Sequence, residues 1–384
     1  MNKVIYMDYN ATTPVDPAVL EAMLPAFTEH FGNPSSRTHA YGWAAAALVD
    51  TARVTVARHL GVSPEEVTFT SGATEANNLA IKGLARARGK GHIVTTAIEH
   101  PAVLEVCESL RAEGFEVTTV PVGGSGVVDP EAVAGACHED TVLVSVMLVN
   151  NEMGTIQPVA EIARLCHERG IPVHCDATQG VGKVPVNLRE LGVDLLSLSA
   201  HKFYGPKGVG LLVVRRQKPP LKLVPLFSGG GQEQGLRSGT LNVPGIVGLA
   251  KALELAVTSL PEETARLARL RDRLRERLFA CYPKLLENGD PAHRVANTLN
   301  VSFVGLDSGA LVASLPLLAV SPASACATAK PKPSHVLLAL GRSAAEANSA
   351  LRFSLGRFTT EDDVERAAAM VAEAVGKLSR LPAR

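Results

Sequence analysis

Residues 194–207 read DLLSLSAHKFYGPK, and the reading of this stretch decides the fold. Positions 195–198 form a short apolar strand. It delivers Ser199, His201 and Lys202 into a turn containing Gly205 and Pro206. A lysine at the end of a buried strand is a candidate reactive amine, because burial disfavours its charged form and a neutral amine adds to an aldehyde. The alternative is an ordinary lysine in a polar surface turn.

Working outward, short β-rich runs at 67–70, 92–96, 117–121, 142–149, 171–175, 195–198 and 209–214 alternate with helical periodicity, as at 75–87 and 158–169. This rhythm predicts an α/β domain: a mostly parallel seven-stranded sheet sandwiched by helices. Ligands gather at the carboxyl ends of the strands in such sheets. After about residue 258 the rhythm changes. A long charged helix at 261–281, strands at 297–303, 317–320 and 349–355, and helices at 310–315, 334–340 and 360–379 suggest a smaller α+β domain. The expected division is 15–258 for the large domain, with 1–14 and 259–384 forming the small one.

The chain has 384 residues with 38 basic and 38 acidic side chains. No net field therefore points to nucleic acid or an anionic membrane. No apolar run is read as a membrane span, and positions 1–8 lack the blocks of a signal peptide, so the expectation is a soluble, cytoplasmic protein. The six cysteines (Cys107, Cys137, Cys166, Cys175, Cys281 and Cys326) are scattered, with no spacing that suggests zinc. No metal is expected.

Five strand ends carry candidate chemistry. The turn Thr70-Ser71-Gly72-Ala73-Thr74-Glu75 opens a helix, where free N–H groups and the Thr74 hydroxyl suit a phosphate or an ordinary cap. His100, in Glu99-His100-Pro101, can stack on a flat ring, shuttle protons or serve structure alone. Asn150 and Asn151 offer amides for a ring oxygen or carboxylate, or for a turn. Asp176 ends an apolar strand, where a carboxylate needs a partner: the next helix N-terminus or a cation such as a protonated pyridine. Lys202 is the fifth. Asp176 precedes it by one strand-and-crossover unit, so both face one crevice. That pairing points to pyridoxal 5'-phosphate (PLP), whose ring nitrogen needs an acid and whose aldehyde needs an amine.

The ordered motifs MDYNATTP, FGNPSS, FTSGATEANNLAIKG, EHPAVL, VNNEMG, DATQGVGK, SAHKFYGPKG, GGGQEQGLRSGT, SACATAKPKPSHVLLALG and RFSLGRFTT cover nearly the whole chain. In these the sequence resembles the cysteine desulfurases of the NifS/IscS type, class V aminotransferases among the fold-type I PLP enzymes. The resemblance implies Lys202 as the Schiff-base lysine, Asp176 on the pyridine nitrogen, Gln179 on the ring oxygen and His100 over the ring. It implies Ala73, Thr74, Ser199 and His201 at the phosphate, with Thr240 reaching in from the second protomer of a homodimer. Asn151 and Arg352 match positions holding the substrate carboxylate, and Asn33 of FGNPSS joins the substrate set. A guanidinium fork fits a carboxylate.

Cys326 supplies the specificity. It follows a strand in a proline-rich segment, 321–333, that reads as a mobile loop, and a thiol there has no core to fill. The implied reaction converts L-cysteine to L-alanine and leaves the sulfur as a persulfide on Cys326. An acceptor, an iron–sulfur scaffold or a tRNA-thiolation protein, then takes it. Cys175, on the strand beside Asp176, is the inert thiol. The alternatives are a selenocysteine lyase or another class V enzyme, or a non-enzymatic sulfur carrier. A nicotinamide enzyme is disfavoured because no G-x-G-x-x-G opens a helix after the first strand. The sequence departs from the family pattern at Pro322, Ala323 and Gln232. It also ends at Arg384, without the longer tail with which some members dock a scaffold.

Overall fold

The computed structural model describes residues 4–322 and 332–380. Its large sheet has seven strands in the order Val67–Thr70, Gly210–Val214, Leu195–Ser199, Val173–Asp176, Thr141–Met147, His92–Thr96 and Glu116–Val120. Only Gly210–Val214 runs against its neighbours; the other pairings are parallel. The other six strands therefore all point their carboxyl ends to one edge of the sheet.

Both faces of the sheet are buried, which is why its strands read as apolar runs. Leu143, Leu195 and Leu212 face the helices Ala73–Arg88 and Pro101–Ala112. Val144, Val173, Leu196, Leu198 and Leu211 belong to the core on the other side, with the helices Ala40–Leu60, Val159–His167 and Val243–Cys281. Each such leucine removed from water contributes roughly 1.5–3 kcal/mol.

A second apolar core gathers Ile5 and Met7 with Leu270, Leu274, Val301, Phe353 and Val371. Its sheet has the order Ser321–Pro322, Ala350–Ser354, Thr298–Phe303 and Leu285–Glu287, with antiparallel pairings. Ile5–Tyr6 pairs in parallel with Leu318–Ala319.

Three local readings change. The helix expected from residue 261 runs from Val243 to Cys281, straight through Pro261. Thr258 and Ser259 donate back to the carbonyls of Glu254 and Leu255, within the turn ahead of the missing proline N–H. This helix also contains an 18-residue window of mean hydropathy 1.5, long and apolar enough by composition to span a membrane, which the sequence reading overlooked. Half of that window is buried within the protein, as in the core helix of a globular fold. Finally, the segment expected to be loop from 321 starts as a strand, with Ser321 paired to Arg352 and Pro322 to Leu351. Pro322 is on an edge strand, where a missing N–H costs little.

Candidate active site

The carboxyl edge of the large sheet opens into a cavity of about 900 Å³. Ala73, Thr74, His100, Asn151, Asp176, Gln179, Ser199, His201, Lys202 and Arg352 all line it. The sheet explains the convergence. Val173–Asp176 and Leu195–Ser199 are adjacent parallel strands with Asp176 opposite Ser197, so Asp176 and the short 3₁₀ turn Ala200–Lys202 leave the sheet side by side.

The floor beneath Thr74 and Ser199 depends on two glycines. Gly72, at φ +157°, turns the strand Val67–Thr70 into the helix Ala73–Arg88 in a conformation that L side chains rarely adopt. Gly210 separates Thr70 from Ser199 in the sheet. A Cβ on Gly210 would lie 2.5 Å from the Leu198 carbonyl oxygen and 2.7 Å from Gly72. The bare backbone lets the Gly72 turn and the end of the Leu195–Ser199 strand approach closely. The first-turn amides of the 16-residue helix Ala73–Arg88 have no acceptor within the helix, and they face an anion favourably.

Lys202 Nζ donates to the carbonyls of Asn10 and Ala11, each at 2.8 Å. Burial, then the Arg352 charge, lower its pKa from 10.5 to about 8, against opposing contributions from Asp176 and Asp8. Asp176 is 5 % exposed. Its carboxylate accepts from Asn77 Nδ2 at 2.8 Å and from the Thr178 amide at 3.0 Å. His100 caps the helix Pro101–Ala112, its Nδ1 accepting from the Ala102 amide at 3.0 Å. Its Nε2 is thereby the nitrogen left for the cavity. The residue is exposed toward the cavity, and the neighbouring protein removes part of its hydration. That desolvation, together with Lys202 and His335, holds the imidazole below its ordinary pKa while Asp176 opposes them. His201 is brought down to about 4 by burial and by Lys202 and Lys207, and its Nδ1 lies 3.1 Å from Thr12 Oγ1.

Arg352 is no surface ion pair. It is 6 % exposed and binds Asp8 at 2.7 Å, the Asn151 carbonyl at 2.9 Å and Ser321 Oγ at 3.1 Å, while its Nε is buried without a partner. Buried Asn77 Oδ1 and Thr178 Oγ1 likewise lack partners, and both residues line the cavity. Orphaned polar atoms in a cavity that sets the buried Asp176 carboxylate beside the Lys202 amine fit PLP. Its phosphate and ring oxygen seek donors, and its pyridinium seeks an acid.

Some expected residues lie elsewhere. Asn33 is exposed and outside the cavity, its side chain accepting from the Ser35 amide at 2.9 Å in a local turn. Thr240 is exposed and also outside the cavity of its own chain. The loop bearing it is fastened by Arg237, whose Nε donates to Glu75 at 2.9 Å. Burial alone would raise the Glu75 pKa, but hydrogen bonds from Arg237 and Ser71 outweigh it and the net shift is downward. Cys326, and with it the expectation of a mobile loop, lies outside the described residues. Cys175 is fully buried, which raises its thiol pKa well above the ordinary range, as expected of an inert thiol. Asn10, Asn77, Asp8 and Glu75 were missed as site residues. Asn10 and Asp8 sit in a motif quoted whole, MDYNATTP, but only their long-range partners reveal what they do.

One cluster outside the site brings potential metal ligands together: atoms of His92, Glu116 and His138 lie within 4.8 Å of one another. Both His92 nitrogens already meet threonine hydroxyls, Thr141 at 2.9 Å and Thr118 at 2.8 Å, and its ring stacks on His138 with centroids 4.1 Å apart. His92 therefore has no open nitrogen to offer.

Comparison with known proteins agrees with this geometry. Residues 5–367 match the aminotransferase class-V family. The chain is 51 % identical over 380 residues to the cysteine desulfurase IscS of Anaeromyxobacter dehalogenans, covering 98 % of this chain and 94 % of that protein. Among solved structures, a NifS-like protein superposes with a TM-score of 0.91 at 42 % identity, covering 98 % of this chain and all of the other. SspA in complex with cysteine superposes with a TM-score of 0.82 at 39 % identity, covering 92 % and 99 %. With a parallel sheet presenting a lysine and an aspartate at adjacent strand ends, and with these relatives, the chain belongs to the aminotransferase class-V family, among its cysteine desulfurases.

Proposed function

We propose that this chain is a PLP-dependent cysteine desulfurase that converts L-cysteine to L-alanine and retains the sulfur as a persulfide on Cys326. The observation that carries the reading is the shared cavity of Asp176 and Lys202, the latter an amine already shifted to about 8. PLP, when bound, supplies an electron sink for the pair left when the substrate α-proton departs.

The side chains divide the remaining work. Asp176, oriented by Asn77 and the Thr178 amide, holds the pyridinium N–H. Ala73, Thr74, Ser199 and His201 hold the phosphate, Gln179 donates to the ring oxygen, and His100 covers the ring. Lys202 would hold the aldehyde of PLP through Nζ and, when freed by substrate, would take the α-proton on that atom. Arg352 and Asn151 would hold the substrate carboxylate, the guanidinium fork matching its two oxygens. The Cys326 thiolate attacks the substrate sulfur. An S–S bond forms and the substrate C–S bond breaks, its electron pair passing to the carbon. This β-carbon takes a proton, with His100 as the nearby proton carrier, Lys202 Nζ returns a proton to the α-carbon, and the product leaves as alanine.

Two copies of the chain complete the site in this reading, with Thr240 of one reaching the phosphate of the other. Supporting this, Phe27, Phe31, Tyr41 and Trp43 are 56–62 % exposed close together in sequence, and the Phe31 and Tyr41 rings pack 5.2 Å apart. Exposed apolar patches of this kind mark association surfaces. Residues 15–258, and 1–14 with 259–384, act as the two domains. The sulfur acceptor is an iron–sulfur scaffold or a tRNA-thiolation protein, and the setting is the cytoplasm. The test is incubation with L-cysteine, quantifying alanine and mapping persulfide by mass spectrometry. Persulfide confined to another cysteine, with Cys326 unmodified, would overturn the assignment of the acceptor thiol.

A further inference from the structure

Behind Lys202 lies a second amine that the reaction scheme leaves unused. Lys183 Nζ donates to Gln179 Oε1, and to Asn10 Oδ1 at 3.1 Å. Asn10 Oδ1 also accepts from Asn297 Nδ2 at 3.1 Å, while Asn10 Nδ2 donates to Thr298 Oγ1 at 2.9 Å and to the Asn151 carbonyl at 3.2 Å. Gln179 Nε2 donates to the Asn10 carbonyl at 2.8 Å, the same oxygen that accepts Lys202 Nζ at 2.8 Å.

Donor and acceptor accounting fixes this network in one orientation. An amide shows a carbonyl on one side and an NH₂ on the other, so its orientation is decided by its partners. Here the ends of the network decide it. A backbone carbonyl only accepts, and the Lys183 amine, charged or neutral, meets two oxygens with its N–H bonds. Turning Gln179 over would set its NH₂ against the Lys183 amine and its carbonyl against the Asn10 carbonyl.

We propose that Lys183 is a positioning residue for PLP: together with the Asn10 carbonyl it locks the Gln179 amide so that an N–H, not a carbonyl, is offered to the ring oxygen of the cofactor. Burial first, then Lys202 and Arg352, hold the Lys183 amine well below the ordinary lysine value. Its role is thus one of hydrogen-bond direction, and a neutral donor serves in its place.

The proposal rests on the assignment of the cavity to PLP and is tested by titrating apo-protein with PLP and following the visible absorption of the bound cofactor. Lys183→Met is expected to weaken PLP binding by roughly ten- to a hundred-fold, the worth of one hydrogen bond involving a charged or strongly polarised group. Gln179→Ala should do the same, and the double variant should bind no more weakly than the worse single one, because both remove a single interaction. Lys183→Gln should restore most of the affinity. Unchanged affinity in Lys183→Met, or fold-changes that multiply in the double variant, overturns the proposal. If Lys183→Met does not fold, Gln179→Glu decides separately. Its carboxylate has no N–H to offer, so PLP affinity matching wild type overturns the proposal. Wild-type protein that takes up no PLP would instead sink the assignment of the cavity itself.

Discussion

The sharpest consequence of the active-site electrostatics is the rate at which apo-protein captures PLP as pH changes. Only the neutral Lys202 amine attacks an aldehyde. With a pKa of about 8, roughly one quarter of it is neutral at about pH 7.5; at the ordinary 10.5, about one thousandth would be. The structure therefore predicts capture on the order of two hundred times faster than an unperturbed lysine would give, with a rate that climbs through pH 8 and then levels off. Its causes can be separated by substitution. Arg352→Gln removes a charge that lowers the Lys202 pKa, so the midpoint should rise. Asp176→Asn removes a charge that raises it, so the midpoint should fall. Stopped-flow absorbance measures the capture, with N-α-acetyl-lysine run in parallel to remove the titration of PLP itself. A wild-type midpoint near 10.5, or both variants moving in the same direction, would refute the reasoning.

Further outcomes follow from other parts of the site. Lys202→Ala should lose the lysine-linked absorption, and borohydride should fix no pyridoxyl group on another lysine; peptide mapping decides. Cys326→Ser should bind PLP normally yet yield no persulfide on the protein, read by mass spectrometry. Glu99 is fully buried, accepting from Thr96 Oγ1 at 2.7 Å and the Met147 amide at 2.9 Å, while burial, opposed by these bonds, raises its pKa to about 8. The folded protein thus binds a proton there that the unfolded chain releases above about pH 4.5, so stability contributed by the protonated group is lost as pH rises through 8. Glu99→Gln should therefore raise the melting temperature at about pH 9 and change it little at about pH 5. Equal shifts at both pH values would exclude the titration of Glu99 as the cause.

What was legible in the sequence was whatever each strand carries at its own end. Asp176, Lys202, His100 and Thr74 each follow an apolar run, and parallel strand direction alone brings such ends together. The supporting shell was not legible, because its bonds join residues far apart in the chain. Asn10 and Lys183 are separated by 173 positions, and Asp8 and Arg352 by 344. No periodicity announces such pairs. Asn33 differs: a motif match places it with the substrate, and within its own chain its side chain closes a surface turn outside the cavity. Pro261 misled because proline commonly opens a helix, so residues 243–260 were not joined to the helix that follows. The edge-strand start at Ser321–Pro322 was hidden for a similar reason, since its partner Ala350–Ser354 lies about thirty residues downstream.

The helix Val243–Cys281 has a further consequence. At about 1.5 Å per residue it is a rod approaching 60 Å long. Its first half is buried in one apolar core through Ile246, Leu249 and Leu253, and its second half in the other through Leu267, Leu270 and Leu274. The two cores are thus mechanically in series. Melting one frays the rod that the other is built on, so heat should dissolve them in a single cooperative step. Pro261, where one rung of the hydrogen-bond ladder is missing, is the point at which that cooperativity is weakest.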